Sequence, residues 1–281
     1  MVRVEMPGFF TSIQDLGRKG YGSVGVPISG AMDLYSAKIG NLTLQNKETA
    51  AVLEVTMGNC KLVFEKETKL CITGADFSAT LNHKAIVLNT VININKFDVL
   101  SFGKCRFGVR SYIAISGGFK TKKVLNSRSF YHSITNNAVV LKGDLLPYNT
   151  DTKSLASTFS IVKRNSLHFN SKTLTCYRGP EYHLLTHCQT NQITSTFFSI
   201  SKHNNRMAYQ LNELIKNDIE SMLTSAVIPG TVQLTPSGKL IVLMRDCQVT
   251  GGYPRILQLT PEAINILSQK TTQDSFQFTV I

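Results

Sequence analysis

Ser275-Phe-Gln-Phe-Thr-Val280 alternates apolar and polar side chains strictly, placing Phe276, Phe278 and Val280 on one face. A two-residue period is the mark of a strand with one buried face. Working outward, residues 51–56, 60–64, 69–73, 85–88, 97–102, 106–115, 193–200 and 239–244 also read as short strands, rich in Val, Ile, Phe and Leu. Helical spacing occurs in few places. Residues 31–45 carry Met32, Leu34, Ala37 and Leu42 at that spacing, and 181–188 form a second candidate. A third covers 261–269, where Thr260 is a natural cap and Pro261 suits the first helical position. Helices do not alternate with strands over lengths that would build a doubly wound parallel sheet. The predicted fold is mainly β with a few helices, of barrel or sandwich type.

An aspartate in a turn ahead of a strand recurs in Phe97-Asp98-Val99-Leu100, Gly143-Asp144-Leu145-Leu146 and Gln273-Asp274-Ser275-Phe276. Asp in a turn bonds nearby backbone just before a strand begins. The intervals are unequal, so no solenoid period is present. The pattern fits two β-rich halves, 1–150 and 151–281, divided in the polar stretch 149–158.

The 281 residues are 42% apolar and 17% charged, which excludes a disordered tail and allows a large core. Thirty Lys and Arg against 18 Asp and Glu give a net charge of +12. The basic residues form no run longer than Lys120-Thr-Lys-Lys123 and no aromatic-interleaved stripe, so no nucleic acid is expected as a partner. The excess predicts a field that gathers acidic substrates or an acidic partner. Glu5 and Pro7 interrupt any secretory segment near the start, and the apolar run 240–244 is far too short to span a membrane. Six scattered cysteines without a Cys-x-x-Cys pair point to reduced thiols. The expectation is a cytoplasmic protein with no membrane contact.

Three segments have the makings of a site. The first runs from Leu240 into Asp246-Cys-Gln-Val-Thr-Gly-Gly-Tyr-Pro254. If the strand continues, Asp246, Gln248 and Thr250 line one face, and Gly251-Gly252 lets the backbone approach a ligand. A solvated strand face ending in a Gly-Gly turn fits the same pattern. The second segment holds Gln14, Arg18 and glycines at 17, 20, 22, 25 and 30. Its amides would cradle an anion with Arg18 as counter-charge, or form a purely structural loop. It matches neither a dinucleotide fingerprint nor a phosphate loop. The third is Arg128, flanked by Ser127 and Ser129, suited to a carboxylate or phosphate or to a surface ion pair. His183 and His187 have metal-like spacing but lack the Glu of a metalloprotease helix, so no metal is expected.

Together these segments carry a resemblance. Gln14-Asp-Leu-Gly-Arg-Lys-Gly20, Gly25-Val-Pro-Ile-Ser-Gly-Ala-Met-Asp33, Leu53-Glu54, Thr73-Gly-Ala-Asp76, Ser116-Gly-Gly118, Ser127-Arg-Ser129, Asn205-Arg-Met207 and Asp246 to Pro254 occur in order across nearly the whole chain. The sequence resembles the biotin-dependent carboxyltransferase-like family, also called allophanate hydrolase subunit 2 or the KipA family. The resemblance implies a cyclophilin-like β-barrel architecture. It implies a hydrolase acting on a cyclic amide: an ATP-dependent 5-oxoprolinase that cleaves 5-oxo-L-proline to L-glutamate, with ATP as cosubstrate. The implied partners are the two other components of such an enzyme, an A subunit plus a KipI-like B subunit. Two alternatives come with the family: a component that transfers a carboxyl group from carboxybiotin, as in urea-degrading enzymes, or an antagonist of a kinase inhibitor.

Here Arg206-Met-Ala-Tyr-Gln210 replaces an Arg-Met-Gly-Tyr-Arg-like stretch, which leaves Arg206 rather than position 210 as the anion holder. Thr135-Asn-Asn-Ala-Val-Val140 likewise stands where a glycine-rich pattern is usual. No Walker loop and no Ala-Met-Lys-Met-type segment occurs, so no biotin is expected on this chain. The expected roles are Asp246 as general base or substrate anchor, with Gln248, Thr250 and the Gly251-Gly252 amides as donors. Arg206 and Arg128 hold an anion, and Tyr253, Gln14 and Arg18 complete the substrate contacts.

Overall fold

The computed structural model describes residues 1–149, 162, 165, 167–272 and 274–281. The chain divides into two compact units, Met1–Arg18 with Ser29–Asn165, and Lys19–Ile28 with Ser166–Ile281. The stretch 149–158, where the sequence places a boundary, lies outside the described residues after Asn149.

The first unit contains β1 (Val2–Pro7), β2 (Phe10–Gln14), α1 (Leu34–Thr43), β3 (Val52–Thr56), β4 (Cys60–Phe64), β5 (Thr68–Asp76) and β6 (Thr80–Leu81). It continues with β7 (Lys84–Ala85), β8 (Ile92–Ile94), β9 (Val99–Ser101), β10 (Phe107–Ile115) and β11 (Leu145–Leu146). One sheet has the order β11-β1-β4-β9-β6-β7 and the other β2-β3-β10-β5-β8. Val2, Leu62 and Phe64 from the first sheet join Leu53, Leu70, Ile72 and Ile113 from the second in one core. The opposite face of the second sheet carries Val52, Cys71, Tyr112 and Ala114, clustered with Ala31 and with Ala37 of α1. Both faces of β5 and β10 are therefore covered, which is why these strands read as continuous apolar runs.

The second unit contains β12 (Thr173–Arg178), α2 (His187–Ser195), β13 (Phe198–Asn204), β14 (Ala208–Leu214), β15 (Ser225–Ala226) and β16 (Thr231–Leu234). Then come β17 (Lys239–Leu243), β18 (Thr250–Gly251), β19 (Arg255–Leu259), α3 (Pro261–Ser268) and β20 (Ser275–Val280). Seven strands close a barrel in the order β12-β19-β16-β17-β14-β13-β20. Closure leaves no free edge among these strands. Phe276 and Phe278 are buried, and the Phe278 ring lies 5.3 Å from the ring of Phe198 on the neighbouring strand β13. The mainly β reading, with barrel closure and a few helices, describes this chain.

All three turn aspartates act alike. Asp98 accepts from the amide of Asn95, Asp144 from that of Leu141 and Asp274 from that of Thr271, each three residues upstream at 2.7–2.8 Å. Strands β9, β11 and β20 start immediately afterwards. The Thr260 cap is likewise present, accepting from the Ala263 amide at 3.2 Å.

Several boundaries differ from the sequence reading. Residues 193–200 do not form one strand, because α2 runs to Ser195 and β13 begins only at Phe198. A reciprocal cap between Thr186 and Gln189 starts that helix and overrides the β-branched residues that follow. The helix expected at 181–188 is a single 3-10 turn, Tyr182–Leu184, ahead of α2. The first helix starts at Leu34 because Asp33 caps it, accepting from the Ser36 amide at 3.0 Å. The strand at 85–88 ends with β7 at Ala85. No helix among the described residues is long and apolar enough to cross a membrane.

Candidate functional site

In the second unit the apolar strand does not run on through Asp246. β17 ends at Leu243, and the chain turns, with the Cys247 amide donating to the Met244 carbonyl at 3.1 Å. Asp246, Gln248 and Thr250 therefore do not share one strand face as the alternation predicted. A turn between β13 and β14 takes over the geometry. There Asn205 accepts from the amides of Met207 and Ala208 at 2.8 and 3.1 Å, fixing Arg206 at the corner.

Arg206 and Asp246 are both buried and pair in a fork. Nε donates to Oδ2 at 2.7 Å and Nη2 to Oδ1 at 3.0 Å. Their backbones are joined too, through the Asp246 amide and the Arg206 carbonyl at 2.9 Å. Beside them, burial pushes the Cys247 thiol up to about 12, with Asp246 adding to it, so Cys247 is no nucleophile.

Beyond the turn, 248–253 lies against the segment 222–227. The Val227 amide donates to the Val249 carbonyl at 3.0 Å, β15 pairs with β18, and the Met222 amide donates to the Gly252 carbonyl at 2.8 Å. Gly251 lies close to the Gln233 side chain: a Cβ there would stand 2.6 Å from Nε2, so the Gln233 amide would have to shift. Among the described residues the Gln248 amide and the Thr250 hydroxyl make no hydrogen bond, and Thr250 and Tyr253 are exposed. Arg255 closes the segment, holding Glu181 through Nε at 2.9 Å and Nη2 at 2.7 Å, while its own amide donates to Glu181 at 2.8 Å. Neither Glu181 nor Arg255 was singled out from sequence. His183 and His187 fall in separate elements, with His183 on the Pro180 carbonyl and His187 on Asn191.

In the first unit Gln14, Arg18 and Arg128 gather around a residue the sequence reading passed over, Asp15. Its Oδ1 accepts from the Gly17 amide at 2.8 Å and from the hydroxyls of Ser127 and Ser129 at 2.6 and 2.7 Å. Its Oδ2 accepts from the Arg128 amide at 2.6 Å. The Gly17 amide and both serine hydroxyls are thus committed to Asp15 and do not face an anion. Arg18 is fully buried rather than an exposed counter-charge, and its Nη2 donates to the Ser129 carbonyl. Gln14, at the end of β2, is also buried, with Nε2 on the Ser12 hydroxyl at 2.9 Å. Asp two residues ahead of Gly is a recognised turn signal, and it is the one mark by which Asp15 was detectable.

A second buried network joins two more of the sequence motifs. Glu54, fully buried, accepts from the Met32 amide and the Tyr112 hydroxyl, each at 2.8 Å. The same hydroxyl accepts from the Asp33 amide at 2.8 Å, and Arg110 Nε lies 3.9 Å from Glu54. Burial, then Glu54 and Asp33, hold the Tyr112 phenol well above its usual range.

A family model described as carboxyltransferase domain, subdomain A and B, matches residues 24–280. The chain is 30% identical to the C subunit of 5-oxoprolinase from Escherichia coli over 262 residues, 91% of this chain and 83% of that protein. It is 40% identical to the urea amidolyase of Lachancea kluyveri over 152 residues, but these are 52% of this chain and 8% of that one. Among solved structures, TTHA0988 matches with a TM-score of 0.88 at 24% identity, over 99% of this chain and 55% of that one. The urea carboxylase of Kluyveromyces lactis matches with a TM-score of 0.88 at 26% identity, over the whole of this chain and 27% of that one. This chain therefore spans about half of the first solved chain and a quarter of the second.

Proposed function

The chain belongs to the carboxyltransferase domain family, subdomain A and B, and from that premise we propose that it works in an ATP-dependent 5-oxoprolinase. In this reading it opens 5-oxo-L-proline to L-glutamate together with an A subunit plus a KipI-like B subunit. The observation that carries the reading is coverage: the match to the C subunit of 5-oxoprolinase takes in 91% of this chain and 83% of that one. Related proteins named as one subunit of a multi-subunit enzyme support a role in a complex.

A lactam is a poor electrophile. Phosphorylation of its amide oxygen by ATP makes the ring carbon open to water, and loss of phosphate couples the uphill ring opening to ATP cleavage. Charge that develops on oxygen needs fixed donors. In our reading Gln248, Thr250 and the Gly251-Gly252 backbone supply them, with Tyr253 at the rim. Both Asp246 oxygens are engaged by Arg206, so the expected base or anchor role narrows to a positioning one. The pair acts as a unit that fixes where the 248–253 segment begins. ATP is cosubstrate of the complex, and this chain carries no attached biotin.

The test is reconstitution with candidate partner subunits, measuring glutamate released from 5-oxoproline with and without ATP. Release that needs ATP and all subunits is the expected result. No release under any combination overturns the reading. A second reading has its own support in the 40% identity to a urea amidolyase over half the chain: carboxyl transfer with a separate biotin carrier. Activity abolished by streptavidin would favour it.

A further inference from the structure

Between Gly117 and Gly143 the sequence has five Lys and Arg residues and no Asp or Glu. Four of the cations sit on or beside one tight hairpin. Val124 and Ser127 exchange backbone hydrogen bonds at 2.8 and 3.2 Å, and the two residues between them, Leu125 and Asn126, have φ of 50° and 62°. A left-handed leucine is costly and is kept only where the surroundings fix it.

Asp15 fixes it from below. The carboxylate takes the Ser127 hydroxyl, the Arg128 amide and the Ser129 hydroxyl, so three successive residues are tied to one half-buried group. Arg128 thus projects from a rigid base. Among the described residues its guanidinium makes no hydrogen bond or ion pair, and neither do the ammonium groups of Lys122 and Lys123. Lys120 is anchored over the same loop, its Nζ donating to the Gly117 carbonyl at 2.5 Å. Burial and then the charges of Arg128 and Lys123 lower the Lys120 pKa, as expected of three cations sharing one small area without a counter-ion.

We propose that Arg128, with Lys120 and Lys123, is a binding site for a phosphate group, and that Asp15 is the residue that positions it. A phosphate dianion accepts the fork of a guanidinium and still balances a second cation, whereas a monocarboxylate leaves two of the three charges unmatched. The inference rests on the proposed function and deepens it, giving Arg128 the anion-holding role expected from the sequence. It is tested by binding to the full chain alone, so a failed reconstitution and a failed phosphate site are told apart.

Calorimetric titration with inorganic pyrophosphate, ATP and succinate is the experiment, at low salt. Pyrophosphate binding that R128A weakens by about tenfold or more is expected, from loss of a charge-assisted pair. K120A/K123A should weaken it as well, and succinate should bind less tightly than pyrophosphate. ATP binding as well as pyrophosphate would point to a nucleotide as the phosphate source. ATP binding much worse would point to a smaller phosphorylated ligand. D15N should lower affinity in the wild-type background but add nothing to R128A. A merely structural Asp15 would lower both alike. The site is overturned if the wild-type chain binds neither pyrophosphate nor ATP, if R128A binds like wild type, or if succinate binds as tightly.

Discussion

Asp246 sits in the fork of Arg206, held at both oxygens at 2.7 and 3.0 Å, with both side chains about nine-tenths buried. Removing one partner leaves the other buried and uncompensated, which costs about 3–5 kcal/mol. Asp246→Ala should therefore lower unfolding free energy by that order. The double variant Arg206→Met with Asp246→Leu should recover most of it, because well-filled apolar pairs replace buried ion pairs with little loss. Denaturant titration reads the stabilities. If the stable double variant also restores turnover in the reconstituted complex, the pair is structural only and its positioning role falls.

Glu181 predicts a pH signature. Its hydrogen bonds from Arg255, foremost the side-chain ones, lower its carboxyl pKa from the ordinary 4.5. A carboxylate depressed in the folded state contributes stability above its unfolded pKa and loses it as pH falls through the folded value. Glu181→Gln should cost about 1–3 kcal/mol at neutral pH. The gap to wild type should close as pH drops below 4.5. A gap that stays constant down to full protonation would show that the charge of Glu181 is not what holds Arg255.

Gly179 shares that corner. A Cβ there would stand 2.1 Å from the Arg255 carbonyl oxygen and 2.8 Å from two backbone carbons, none of which a rotamer change can move. Gly179→Ala should cost about 1–3 kcal/mol, as overpacking against a fixed backbone does. Gly143→Ala is the useful contrast, since nothing lies within 4 Å of its Cβ and only its φ of 92° is strained. Thermal melts of the two variants should rank Gly179→Ala clearly lower.

How much of this was legible in the sequence depends on the range of the interaction. The turn aspartates 98, 144 and 274 bond three residues away, and all were readable as turn signals. Strands β5 and β10, buried on both faces, announced themselves as apolar runs. The 193–200 segment misled because Ile193 and Thr194 favour strands, while the cap that makes them helical lies at Thr186 and Gln189. Asp246 and Arg206 were both visible as motif residues, but 40 positions separate them, and nothing local shows that each occupies the other. Asp15 and Ser127 are 112 positions apart, so the flanking serines read as free hydroxyls when they are already bound.

The cysteines allow a last test that needs no partner protein. Cys60, Cys71, Cys176 and Cys247 are buried, whereas Cys105 and Cys188 are exposed. Burial pushes the Cys60, Cys176 and Cys247 thiols up to about 12, so little thiolate exists at pH 8 even where reagent enters. Cys105 is raised too, by burial and by Asp76, though it remains accessible. Labelling the folded chain at pH 8 with a small disulfide reagent should modify Cys188 and Cys105 only. All six should react in denaturant. Rapid reaction of Cys247 in the folded chain would mean that the turn carrying Asp246 opens readily, and that the Arg206–Asp246 fork does not fix the segment that follows it.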